Sequence, residues 1–201
     1  MKGVNLQAGK LGIAEICNFS ISEEEARKFN TYGYLRGEPS WARISAGDYI
    51  KLYVDGQLMM SDTSMEKLTN EEFIKNAKGD VLIGGLGIGL LIENLKDKIE
   101  SGEVTSVTIV EKYQDVIDLI APSYNIPQVH IECDDIFTRN IKRGEKYDTI
   151  YFDIWPDIYP DNWKEMKELR AKYRRCKRTK DSYMSCWLES YVKKEYYARN
   201  R

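Results

Sequence analysis

The sequence is poor in the residues from which metal centres and disulfide frameworks are built. Its 201 residues include one histidine, His130, and four cysteines, Cys17, Cys133, Cys176 and Cys186, none of them in a C-x-x-C pair. No cysteine stands at finger spacing from the histidine, so the zinc-finger and zinc-ribbon classes drop out and no metal site is expected. Long apolar runs are missing too. None approaches the roughly 20 residues that span a bilayer, and the first fifteen residues, MKGVNLQAGKLGIAE, lack the apolar core of a secretory signal. A soluble, cytoplasmic protein with no membrane partner is expected. Repeats and low-complexity tracts are also absent, which predicts order almost throughout. Cys133 lies in an apolar strand pattern and is expected as a small buried thiol, while His130, which opens the same strand, is read as structural.

What is present allows one substantial core and a small appendage, since the chain is 42% hydrophobic with a formal charge of −2. That charge is unevenly spread. From Asp161 onward thirteen lysines and arginines face six acids, a charge of +7, which leaves −9 for the rest. Such a tail is either the solvated side of surface helices or a face for a polyanion, with nucleic acid the natural partner to consider.

After Asp80 the patterning alternates. DVLIG, VTSVTIVE, QVHIEC, YDTIYFD and SYMSCWL read as strands. IGLLIENLKDKIES, KYQDVIDLIAP, DDIFTRNIKRG, NWKEMKELRAKYRRC and the closing segment read as helices. Strands alternating with helices predict an α/β fold, a Rossmann-like three-layer sandwich around a mostly parallel, five-stranded sheet. Upstream, SWARIS, YIKLYV and QLMMS read as short strands, with an Asp-Gly turn inside VDGQ. Ser22 and Glu25 have capping-box spacing. The division expected is a β-containing cap over residues 1–66 and a nucleotide-binding-type domain over 67–201.

In such a sheet the ligand lies at the carboxyl ends of the strands, where strand order reverses. The predicted strands end at Gly84, Glu111, Asp134 or Asp135, and Asp153, which should converge on one crevice. The loop Gly85-Leu86-Gly87-Ile88-Gly89 is a G-x-G-x-G. Its glycines miss the G-x-G-x-x-G spacing for a dinucleotide, and no Lys-Ser or Lys-Thr follows to cradle a triphosphate. Glu111 stands 22 residues after Gly89 and can accept hydrogen bonds from both ribose hydroxyls. Asp134 or Asp135 can accept from an adenine amino group, with Ile136 against the ring face. Lys112 and Tyr113 are placed to line the same pocket. Together these residues describe a site for an adenosine without phosphates.

In this order and spacing, DVLIGGLGIGL, VTIVEKYQDVIDL, ECDDIF and YDTIYFDIWPD resemble the successive motifs of the class I S-adenosylmethionine-dependent methyltransferase fold. Within it, the likeness is to spermidine synthases and small spermidine-synthase-like methyltransferases. LYVDGQLMMSDTSMEKLTNEEF is similar to the hairpin and helix that precede the glycine loop in spermidine synthases. The likeness covers roughly residues 50 to 160. It implies S-adenosylmethionine as the cofactor, held by Gly84, Gly85, Gly87, Gly89, Glu111, Lys112, Asp134, Asp135, Ile136 and Asp153. Asp153 is also the candidate catalytic base, with Trp155 and Asp157 as substrate residues.

The departures from spermidine synthase bear on the reaction. The glycine loop carries no acid to hold a propylamine tail, and EEFIKNA stands where the family has acid, tyrosine and histidine. Methyl transfer to a small-molecule acceptor is therefore the leading expectation. Aminopropyl transfer from decarboxylated S-adenosylmethionine is the alternative, and a non-catalytic binding protein the second. Five strands are fewer than the seven usual in the class, so a homodimer covering the open sheet edge is a further expectation.

Overall fold

Val81, Leu82 and Ile83 are fully buried, the mark of a central parallel strand covered on both faces. In the computed structural model, which describes residues 1–200, they lie in β5 (Gly79–Gly84). The neighbouring strands are β6 (Val104–Glu111), β7 (Val129–Cys133), β8 (Thr149–Phe152) and β9 (Tyr183–Cys186). The sheet order is β7-β6-β5-β8-β9, and every pairing is parallel. The order reverses between β5 and β8, which puts the switch point at Gly84–Gly85 and Phe152–Asp153.

Alternating side chains of each strand enter separate cores. Val81, Ile83, Val107 and Ile109 pack with helices α3 (Leu90–Glu100) and α4 (Gln114–Ile120). On the other face Leu82, Val110, Ile150 and Phe152 pack with α5 (Asn162–Tyr173) and with Val192 of α6 (Glu189–Arg199). Two apolar cores divided by one sheet are the three-layer arrangement. At about 25 cal/mol per Å², each fully buried Leu, Ile or Val contributes roughly 1.5–3 kcal/mol.

A second sheet precedes it. Strands β1 (Gly9–Leu11), β2 (Ala14–Ile21), β3 (Gly47–Val54) and β4 (Gln57–Ser61) form an antiparallel meander in chain order. The β3–β4 turn is Asp55-Gly56, both at positive φ (50° and 76°), the backbone that a two-residue hairpin requires. Helix α1 (Glu23–Leu35) starts on a formed capping box between Ser22 and Glu25. The small sheet has no separate core: Ala14, Ile16, Leu52 and Val54 join the cluster that contains Ile83 and Leu86. Asp115 of α4 also accepts a hydrogen bond from the Ile13 amide at 2.9 Å. Helix α2 (Ser64–Asn76) links the two sheets.

Three sequence expectations fail for identifiable reasons. SWARIS is not a strand, because β2 and β4 already occupy both edges of β3; Ser40–Ala42 forms a 3₁₀ turn, with Trp41 edge-on to Tyr191. DDIFTRNIKRG forms no helix beyond a single turn at Asp135. Arg139 is instead drawn into a buried network with Glu132 at 2.7 Å and Glu145 at 2.6 Å, and Tyr147 donates to Glu145. Cys133 is exposed rather than buried, since it ends β7, an edge strand. Strand β1 (GKL) carries little apolar content, whereas β2 (AEICNFSI) has apolar residues at alternate positions that the sequence reading passed over.

The basic tail is partly committed to the fold. Arg170 bonds the Met184 carbonyl and Glu189, Lys172 donates to the carbonyls of Ile136 and Phe137, and Arg178 bridges Asp80 and Asp148. No helix among the described residues is long and apolar enough to cross a membrane.

Candidate functional site

The switch point opens into a cavity of about 500 Å³, walled by the β3–β4 hairpin on one side and the strand ends on the other. That volume is within the ~300–1,000 Å³ of ordinary small-molecule sites. Gly85, Gly87, Glu111, Lys112, Asp134, Asp135, Ile136, Asp153 and Trp155 all line it. Gly84, Gly89 and Asp157 are not among the lining residues. Gly84 is packed inside β5, where an added Cβ would lie 3.0 Å from Phe152 and 3.2 Å from Ile136. Gly89 begins α3 in the left-handed region (φ 75°), under the Tyr124 ring. Asp157 is exposed in the loop after β8, where its carbonyl accepts from the Asn162 side chain at 2.8 Å.

Gly85 and Gly87 answer what the glycine loop makes room for within the protein. Gly85 (φ 96°) passes so close to the Asp153 carbonyl that a Cβ would collide with it, and at Gly87 (φ 52°) a Cβ would collide with the Met60 sulfur. Met60 comes from the hairpin, and its sulfur accepts from the Ile88 amide at 3.2 Å. The loop is thus clasped between the end of β8 and β4.

Glu111 is buried and fully oriented. Its carboxylate accepts from the Leu86 amide at 2.9 Å and from the Tyr113 amide at 3.0 Å. One bond per oxygen leaves a lone pair on each for a ligand hydroxyl. Around the rim, Asp135 accepts from the Phe137 amide at 2.8 Å and pairs with Lys112 at 3.1 Å. Burial opposes its charge, yet the Phe137 amide and the Lys112 ammonium together hold its carboxyl below the usual range. Asp134 is exposed and spends one oxygen on the Asp135 amide at 2.7 Å. Trp155 is buried, and its indole N–H donates to Glu165 at 2.6 Å.

Deeper in, the arrangement includes residues that the sequence reading did not single out. Glu66 of α2, 8% exposed, lines the cavity beside Asp153. Asn70, one helical turn on, is fully buried; it donates to the Glu66 carbonyl at 3.1 Å and accepts from the Tyr151 hydroxyl at 2.8 Å. Phe73 stacks on Tyr151 at 4.2 Å, which fixes α2 against β8. Burial, with the Asp153 charge adding to it, pushes the Glu66 carboxyl up to about 8. Burial likewise pushes Asp153 up to about 7, opposed by the Asn70 amide. The available signal was the i, i+4 spacing of Glu66, Asn70 and, at i+7, Phe73. Among the exposed acids of the same helix it was not distinguishable.

The cavity is acidic. Seven of its lining residues are Asp or Glu and one, Lys112, is a lysine or arginine. His130 is exposed on β7 and does not line it. Among the described residues no group of three or more His, Cys, Asp or Glu is arranged to hold a metal ion. For an adenosyl amino acid the donor set fits: Glu111 has free lone pairs, the glycine backbone is open at Gly85 and Gly87, and the acidic wall suits a cationic ligand.

No family model and no curated protein matches the chain. Solved structures match in part. Coclaurine N-methyltransferase bound to N-methylheliamine and SAH is 21% identical over 61% of this chain and 33% of that chain, with a TM-score of 0.43. SAM-bound CalS10 from Micromonospora echinaspora, an amino pentose methyltransferase, is 14% identical over 61% and 49%, with a TM-score of 0.41. A dimethyladenosine transferase from Plasmodium falciparum is 16% identical over 53% and 35%, with a TM-score of 0.39. The chain therefore spans only about a third to a half of the length of these proteins.

Proposed function

We propose that the protein binds S-adenosylmethionine in the switch-point cavity and transfers its methyl group to a small-molecule acceptor. The observation that carries this reading is Glu111, a buried carboxylate at the end of the second parallel strand, aligned by the Leu86 and Tyr113 amides with a lone pair free on each oxygen. When bound, the cofactor supplies a methyl group activated by a sulfonium. Glu111 receives the two ribose hydroxyls, and Gly85 and Gly87 let the amino-acid tail pass close to the backbone. Asp134 is the better receiver of the adenine amino group, because Asp135 is already held by Lys112 and the Phe137 amide. Ile136 covers the ring face.

Isothermal titration with S-adenosylmethionine and S-adenosylhomocysteine tests the reading. Binding that weakens in Glu111→Ala supports it; no binding of either ligand overturns it.

A second reading, aminopropyl transfer, is favoured by the hairpin wall, in which Gln57, Met59 and Met60 face the strand ends. It requires tighter binding of decarboxylated S-adenosylmethionine than of the carboxylated form, and the reverse order sets it aside. A nucleic-acid partner for the basic tail is a separate reading, favoured by the cluster Arg174, Arg175 and Lys177. Salt-dependent retention on RNA or DNA is its test.

A further inference from the structure

Several carboxylates of the cavity wall have formed partners. Glu111 has two backbone amides, Asp135 has Lys112 and the Phe137 amide, and the exposed Glu165 has the Trp155 indole. Glu66 and Asp153 are less fully supplied, with one neutral neighbour each. Neither takes part in an ion pair among the described residues, and the groups near enough to temper their charge are neutral, the Ser61 backbone for Glu66 and the Asn70 amide for Asp153. Glu66 is buried and Asp153 part-buried beside it, and neighbouring carboxyls shielded from water with no cation between them are costly. Both residues line the cavity between the hairpin and the end of β8.

A ligand group that answers both must bring positive charge and more than one N–H. A protonated amine has both, whereas an alcohol or thiol brings one hydrogen and no charge, and a carboxylate or phosphate is repelled by the acidic wall. We propose that Glu66 and Asp153 together seat the amino group of the methyl acceptor, which is therefore a primary or secondary amine. This inference rests on the methyl-transfer reading given above.

The step balances without a further reactant. The bound ammonium gives one proton to the carboxylate pair, which frees its nitrogen lone pair. That lone pair attacks the methyl carbon, the carbon–sulfur bond breaks with its electrons going to sulfur, and the products are a neutral thioether and a methylated ammonium. The raised affinity of both carboxyls for protons suits them to hold the released one near neutral pH.

The test uses the full chain with methyl-labelled S-adenosylmethionine and short aliphatic probes: n-butylamine, N-methylbutylamine, n-butanol, butanethiol and butyrate. Products are read by mass spectrometry, and cofactor and amine affinities by titration. Labelled product from the amines alone is expected. Glu66→Gln should lower kcat/KM for butylamine by about 30-fold or more, the effect of losing a charged hydrogen-bond partner, with the cofactor Kd within about twofold of wild type. Glu66→Asp should recover part of that loss, and all variants are compared at matched thermal unfolding.

Preferential methylation of the alcohol, thiol or acid overturns the proposal, as does a Glu66→Gln enzyme with unchanged kcat/KM. A cofactor Kd that weakens in parallel with kcat/KM also overturns it, because the pair would then hold the cofactor's own ammonium. If wild type binds no S-adenosylmethionine, the methyl-transfer reading fails by itself. Butylamine binding that is lost in Glu66→Gln would still support the seat, and absence of amine binding to wild type would overturn it.

Discussion

Two acidic regions share one cavity and behave in opposite ways. At the rim, Asp135 has a cation and an amide, remains partly in contact with water, and is held ionised. At the inner end, Glu66 is buried and Asp153 part-buried, neither pairs with a cation among the described residues, and both are pushed toward the protonated form. The residue type is the same, and the difference lies in what packing supplies as a partner. An acid with a cation and an amide is already satisfied by the fold, whereas one with a single neutral neighbour stores an unfavourable interaction that a ligand can relieve.

The most direct way to break the inner region is through the backbone beneath it. Gly85→Ala puts a Cβ into the Asp153 carbonyl at a φ of 96°, and strain plus collision should cost about 2–5 kcal/mol of stability. Urea unfolding measures this; a loss under about 1 kcal/mol would mean that the loop and the end of β8 are not locked together.

The next effect distinguishes the two regions by sign of pH dependence. Glu66 has a raised pKa, so the folded state keeps a proton that the unfolded state releases. Wild-type stability should therefore fall as pH rises from about 4.5 toward about 8. At roughly 1.4 kcal/mol per unit as a ceiling, Glu66→Gln should remove on the order of 2–4 kcal/mol of that decline. Denaturation of both proteins at the two ends of the window decides it. Parallel curves would show that the carboxyl is better solvated than its burial indicates.

Glu111→Ala comes third. It removes two charge-assisted bonds to a ligand while leaving both acid regions in place, and should weaken S-adenosylmethionine by about 2 kcal/mol, some 30-fold. Titration reads the change directly. An equal loss in Glu66→Gln would erase the division between cofactor and acceptor acids.

The parts legible in the sequence are those fixed by short local patterns. Strand ends, the G-x-G-x-G loop and Glu111 follow from periodicity and spacing, because a parallel strand buried on both faces leaves few other choices for VLIG and VTIVE. What could not be read depends on distant partners. Glu66 is an ordinary helix acid until Phe73 stacks on Tyr151 and turns it inward. The expected helix after Cys133 does not form because Glu132 and Glu145 together hold Arg139. Trp155, a substrate candidate by resemblance, is buried with its indole bonded to Glu165 ten residues on. In each case the deciding interaction joins residues that local patterning does not relate.

The smallest expected effect sharpens the rim. Lys112 is 60% exposed and Asp135 30% exposed, so their pair is screened and should contribute under about 1 kcal/mol. Asp135 has a lowered pKa, so its contribution is present above the ordinary carboxylate range and disappears as pH falls through its folded value. Lys112→Met should therefore change stability at neutral pH by only about 0.5 kcal/mol, and raising the salt should shrink even that difference. The same variant should weaken S-adenosylmethionine little if, as proposed, Asp134 and not Asp135 receives the adenine amino group. A loss of about tenfold or more in cofactor affinity would instead make the Lys112–Asp135 pair part of the adenine site, and the rim would then be as dependent on its ligand as the inner end.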